Sequence, residues 1–173
     1  SATTFADYVS DARKVIEACD EPPFVMGHSL GGAVAVAAST EVPVAGLVHL
    51  AGVYTFAQGN ALLRALGRLT IELEPVMLAS KVRLSTGVAG RLLGRLYSIT
   101  EVAGYAFPIS GWVPESIERP LLEERLALGF DWTSVEVWLQ MARWAQGERF
   151  AYRDAFAVLD VPLLVVYGDH DAL

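Results

Sequence analysis

The sequence predicts an α/β protein: a parallel, doubly wound sheet interrupted by a helical cap insertion. Three observations carry this. The apolar run Phe24-Val25-Met26 leads straight into Gly27-His28-Ser29-Leu30-Gly31 and then into the small-residue segment Ala33–Ala38. Helix and strand patterns alternate before residue 57 and a strand returns after 150, the rhythm of parallel strands joined by right-handed crossovers. Between them lie about 90 residues with helical patterns and no convincing buried strand.

The first helix is predicted from Thr3 to Ala18. Phe5, Tyr8, Val9, Ala12, Val15, Ile16 and Cys19 recur at helical spacing, and Thr4 with Asp7 makes a capping-box start. Asp20-Glu21-Pro22-Pro23 breaks it. Phe24 to His28 then reads as a short, fully apolar strand of the kind buried in a parallel sheet. A helix from Leu30 to about Ser39, a turn at Thr40–Pro43 and a second buried strand, Ala45–Leu50, follow.

From Ala57 to about Phe150 the rows Leu62-Leu63-Leu66-Leu69, Leu92-Leu93-Leu96 and Val135-Trp138-Met141-Ala142-Ala145 keep helical spacing, and Thr133 with Glu136 reads as another capping box. We expect this segment to cover the carboxyl edge of the sheet. The domain reading is therefore core at 1–56, cap or lid at 57–150 and core again at 151–173. All four tryptophans (Trp112, Trp132, Trp138, Trp144) fall in the insertion. They suit an apolar substrate chamber or the cap's own core equally. The closing strand, Leu163–Tyr167, carries Gly168-Asp169-His170-Asp171 at its carboxyl end, where open α/β sheets place functional groups.

At 173 residues and 53% hydrophobic, the chain can bury one substantial core; with 19% charged residues it is not of disordered composition. No apolar stretch reaches the roughly 18 residues needed to cross a bilayer, and the opening residues carry no signal-peptide pattern. Cys19 is alone, so no internal disulfide forms, and a reducing, cytoplasmic setting is favoured. A net charge of −7 argues against nucleic-acid binding. Residues 57–100 nevertheless hold Arg64, Arg68, Lys81, Arg83, Arg91 and Arg95 against only Glu72 and Glu74. That stretch reads as a solvated helical face, or alternatively as a basic amphipathic surface that meets anionic lipid or an acidic acyl substrate.

The chemistry centres on Ser29. A serine at the apex of a sharp strand-to-helix turn has an exposed hydroxyl on a strained backbone. Side chains two residues to either side would collide with the turn, which is the expected reason for Gly27 and Gly31. The helix that follows points its N-terminus at the reacting centre, favouring developing negative charge. A serine also needs a base, normally a histidine oriented by a carboxylate. In the chain order Ser, acid, His, the acid lies past a late strand tip: Asp171 is the first choice and Asp169 the second. The base is the difficulty. His28 sits inside the turn with its side chain expected to point away from the hydroxyl, His49 lies in a buried strand as a satisfied core residue, and His170 is adjacent to the acid itself. The catalytic histidine is thus absent from this chain. No metal or organic cofactor is called for.

The segment Phe24–Ala38 with GHSLGG, the strand Gly46–Val53, the helical insertion and the closing VPLLVVYGDHDAL resemble the second half of an alpha/beta-hydrolase fold protein, a superfamily of lipases, esterases and lysophospholipases. The likeness implies that Ser29 is the nucleophile, that the Leu30 N–H is one oxyanion donor, and that Asp171 is the triad acid. It also implies strands before the first helix, and a further strand, a histidine loop and a helix after the last strand. The core is then incomplete at both ends, with two unpaired sheet edges prone to association and little activity of its own. The implied reaction is hydrolysis of a small-molecule carboxylic ester, acyl or hydrophobic, through an acyl-enzyme. Thioesterase, amidase and acyltransferase chemistry share the nucleophile. Dehalogenases and epoxide hydrolases of this fold carry aspartate where Ser29 stands. The other class left open is a non-catalytic protein of the same fold that binds a hydrophobic ligand or a partner; oligomeric state is not determined.

Overall fold

The computed structural model describes residues 3–55, 57–80, 84–85, 116–128 and 132–168. Helix α1 (Phe5–Glu17) opens with the expected capping box: Thr4 accepts from the Asp7 N–H, and the Asp7 carboxylate accepts from the Thr4 N–H. Strand β1 (Phe24–His28), helix α2 (Leu30–Ser39) and strand β2 (Gly46–Leu50) follow. Thr40 ends α2, with its hydroxyl donating to the Ala37 carbonyl at 2.7 Å.

Strand β2 is central. It pairs in parallel with β1 on one side and on the other with the closing strand β5 (Leu163–Val166), in the order β1-β2-β5. Side chains alternate across this sheet. Gly27, Leu47 and His49 share the face that α2 covers, where Ala33, Ala35, Val36, Ala37 and Ala38 are all buried. The methyl-sized side chains of α2 let it lie close to the strands. Val9 and Ile16 of α1 pack against it and complete one layer of the core.

The outer strands depart from expectation. Phe24 and Met26 are 72% and 67% exposed, and all four residues of β5 are exposed. Burial was expected from their apolar composition. Among the described residues, however, β1 and β5 are edge strands, and no described helix covers the face that carries Phe24 and Met26. An apolar run records what a strand is built to be buried against, which is a property of its neighbours.

The segment from 57 to 150 begins with α3 (Ala61–Glu72), capped by Asn60, whose side chain accepts from the Leu63 N–H at 3.1 Å. Helix α4 (Glu74–Ser80) follows it. Two two-residue strands, β3 (Leu84–Ser85) and β4 (Trp132–Thr133), pair antiparallel. Pairs this short leave no alternation in the sequence, which is why no strand was expected there. Helix α5 (Arg119–Leu128) precedes β4 and α6 (Val135–Ala145) follows it. The cap of α6 is Ser134, not Thr133: the Ser134 hydroxyl accepts from the Val137 N–H at 3.2 Å. Helices α3 and α6 meet at Gly67, where an added Cβ would lie 3.3 Å from the Ala142 carbonyl oxygen. A short helix, α7 (Arg153–Ala157), leads back to β5.

Trp144 and Trp138 behave differently from each other. Trp144 is buried, edge-on to Phe5 of α1 at 5.0 Å and to Phe150 at 5.6 Å, inside the same cluster as Val9 and Val36. It fills neither a chamber nor a separate core. Trp138 is partly exposed and its indole N–H donates to the Thr70 hydroxyl at 3.4 Å. Trp112 lies outside the described residues. No described helix is long and apolar enough to cross a membrane.

Candidate active site

Ser29 stands between β1 and α2 with φ 54° and ψ −125°. A positive φ with an extended ψ is a conformation that side-chain-bearing residues avoid, costing on the order of 1–3 kcal/mol. A serine in this position normally caps the helix by accepting from an N–H of the first turn. Ser29 makes no such bond. The backbone has turned its hydroxyl away from the use that helix formation alone would give it.

Neighbouring backbone holds the strain in place. The Ser29 N–H donates to the Leu50 carbonyl at 3.0 Å, extending the β1–β2 ladder by one residue. The Ser29 carbonyl accepts from the Gly32 N–H at 2.9 Å and from the Val53 N–H at 3.3 Å. One donor belongs to the helix and the other to the loop after β2. Ala51 in that loop also has a positive φ, 41°, and its N–H donates to the Val166 carbonyl at 2.8 Å. Two strained residues thus sit at the carboxyl ends of adjacent strands. Nothing in the sequence marks Ala51, because alanine ordinarily avoids such a conformation.

The glycines divide differently from the sequence expectation. At Gly27 an added Cβ would meet the Gly31 carbonyl oxygen at 2.2 Å and the Ala35 Cβ at 2.8 Å, so the residue is required. Gly31 has nothing described within 4 Å of such a Cβ and is not required by collision. The second obligatory position is Gly32, where a Cβ would lie 2.9 Å from the Gly52 Cα. The doubled glycine of GHSLGG was the signal available for it: the first contributes its backbone and the second allows α2 to approach the loop after β2.

Leu30 is the first residue of α2, and among the described residues nothing accepts from its N–H. The first amides of a helix carry its positive end, so this donor is available to an anion beside Ser29. His28 is exposed. His49 is buried, but among the described residues its Nε2 has no hydrogen-bond partner, so the expectation of a satisfied core histidine is not met there. Burial holds its pKa below the ordinary histidine value. Its ring lies edge-on to Tyr54 at 5.3 Å, and burial likewise raises the Tyr54 pKa. Asp169, His170 and Asp171 lie outside the described residues, which end at Gly168, two residues beyond β5. Among the described residues no group of three or more His, Cys, Asp and Glu side chains is placed to hold a metal ion.

A family model described as "Alpha/beta hydrolase family" matches residues 1–173. Among solved structures, the chain is similar to the monoacylglycerol lipase of Paleococcus ferrophilus, at 17% identity and a TM-score of 0.45, over 97% of this chain and 67% of that one. No curated protein matches.

Proposed function

The chain belongs to the alpha/beta hydrolase family, and on that footing we propose that it is a serine hydrolase cleaving carboxylic esters through an acyl-enzyme, with Ser29 as nucleophile. The observation that carries the reading is the Ser29 backbone, strained at φ 54° while its side chain forgoes the helix cap. Such strain is kept where the surroundings impose it, and functional sites are where it gathers.

In this reading the Ser29 hydroxyl attacks the ester carbonyl and gives its proton to a histidine. That base is neither His28, exposed on β1, nor His49, whose Nε2 has no partner among the described residues. The triad acid is Asp171, with Asp169 next. The tetrahedral oxyanion takes a hydrogen bond from the Leu30 N–H, reinforced by the positive end of α2. The histidine then protonates the departing alkoxide and the alcohol leaves. Water, deprotonated by the same base, attacks the acyl-enzyme and releases the acid with Ser29 restored. No metal or cofactor enters these steps. Residues 57–150 form the cap in this proposal. The exposed row Leu62, Leu66 and Leu69 on α3, beside Arg64 and Arg68, suits an acyl substrate or the lipid surface that supplies it.

Treating the full-length protein with a fluorophosphonate tests the proposal. We expect covalent modification at Ser29, lost in Ser29→Ala. A folded sample that takes no label is instead a binding protein on a hydrolase scaffold.

A further inference from the structure

The imidazole of His49 lies against Gly52, beside the point where Gly32 and Gly52 approach each other. A Cβ on Gly52 would fall 2.0 Å from the His49 Nε2, and one on Gly32 would fall 3.4 Å from its Cδ2. Gly52 therefore makes room for this ring, and Gly32 lies at contact distance from it. Gly32 supplies the N–H that donates to the Ser29 carbonyl, and the second donor, Val53 N–H, belongs to the peptide that Gly52 begins. The ring thus bears on both donors to the Ser29 carbonyl, two of the three backbone ties that hold the strained serine. We propose that His49 is a positioning residue for Ser29: its uncharged imidazole sets the spacing between the start of α2 and the loop after β2, and so keeps the serine in its strained conformation.

The charge state matters because, among the described residues, Nε2 has no acceptor. Protonating it buries a cation without a partner, a cost the molecule relieves by moving the ring or the glycines around it. Among the described residues the groups facing the ring offer no relief. Tyr54 is the titratable neighbour, and burial keeps its phenol protonated and uncharged. Helix α2 and strand β5 contain no ionisable residue. In β1 the one residue of ionisable type, His28, follows Gly27, the register partner of His49, so its side chain lies on the opposite face. With the folded pKa lowered, the unfolded chain takes up the proton first as pH falls through the ordinary value of 6.5. Stability is therefore whole above 6.5 and declines as pH falls through the folded pKa. Order at Ser29 is lost over the same range.

The coupling itself is a property of the fold; its consequence for catalysis rests on Ser29 being the nucleophile. Nuclear magnetic resonance of the chain between pH 7.5 and 4.5 follows the His49 ring together with the amides of Ser29, Gly32 and Val53. We expect the three amides to titrate with the midpoint of the ring, and to stay flat in His49→Leu. Amides that ignore the ring, or that titrate equally in His49→Leu, overturn the proposal. Gly52→Ala is expected to disperse the Ser29 amide signal and to lower fluorophosphonate labelling of the full-length protein at least tenfold. His49→Ala in the same chain removes the ring and restores the Ser29 amide signal; a double variant no better than Gly52→Ala overturns the proposal. Absence of labelling alongside intact amide coupling defeats the hydrolase reading alone, and labelling without coupling defeats the positioning role alone.

Discussion

Gly27 and Gly31 flank Ser29 symmetrically in the sequence and asymmetrically in space. A Cβ on Gly27 would press against the Gly31 carbonyl oxygen at 2.2 Å, whereas a Cβ on Gly31 would meet no described residue within 4 Å. The obstacle at Gly27 is backbone, together with Ala35 of a buried helix, and neither can swing aside. Gly31, already helical, has no such constraint.

Gly27→Ala is accordingly expected to destabilise the fold by about 3 kcal/mol or more, at the upper end of what overpacking costs. Gly31→Ala should be neutral or stabilising by up to about 1 kcal/mol, the gain in helix propensity. Urea unfolding of the two variants checks both. Equal losses would show that the turn excludes any side chain on either side of Ser29.

Trp144 and Trp138 offer a second contrast on one helix. Trp144 is 3% exposed and wedged between Phe5 and Phe150, so Trp144→Ala should cost about 3–5 kcal/mol. Trp138 is 39% exposed with one long hydrogen bond, so its replacement should cost about 1 kcal/mol or less. Thermal melts of the two variants distinguish a helix built into the body of the molecule from one attached to its surface. Similar small shifts for both would contradict the buried position of Trp144.

The capping box at the start of α1 carries a pH dependence. Hydrogen bonds from the Thr4 N–H and hydroxyl hold the Asp7 pKa below its usual value of 3.8. A lowered carboxylate pKa contributes stability that is complete above the unfolded value and is lost as pH falls through the folded one. Asp7→Asn should therefore flatten the fall in stability below about pH 4, the ordinary carboxylate range. Thr4→Ala should cost about 1 kcal/mol at neutral pH. Melting temperatures across pH 2.5–7 read both effects. An unchanged acid limb in Asp7→Asn would remove Asp7 from the account.

Features with a local cause are legible in the sequence. The Thr4 cap, the β1–α2 turn and the lengths of α1 and α2 follow from a few neighbouring residues each. Signals with a distant cause misled. Thr133 and Ser134 can both cap, and the path of the chain chose Ser134. His49 reads as a core residue with its needs met, yet among the described residues its Nε2, set against Gly52, has no partner. Ala51 gave no sign at all, because its strain is imposed by the strand end beside Ser29.

Residue order alone was enough to place a serine at the tip of an apolar strand with small residues around it, since the collision that requires Gly27 arises within nine residues. Tertiary structure alone decided that Gly32 is indispensable, that Trp144 is core, and that the Val53 N–H grips Ser29. The first and last depend on the loop after β2 approaching from twenty or more positions away, and the second on Phe5 of α1. A chain encodes the shape of a turn through neighbours that touch in sequence; it encodes the forces that keep the turn strained only through neighbours that touch in space.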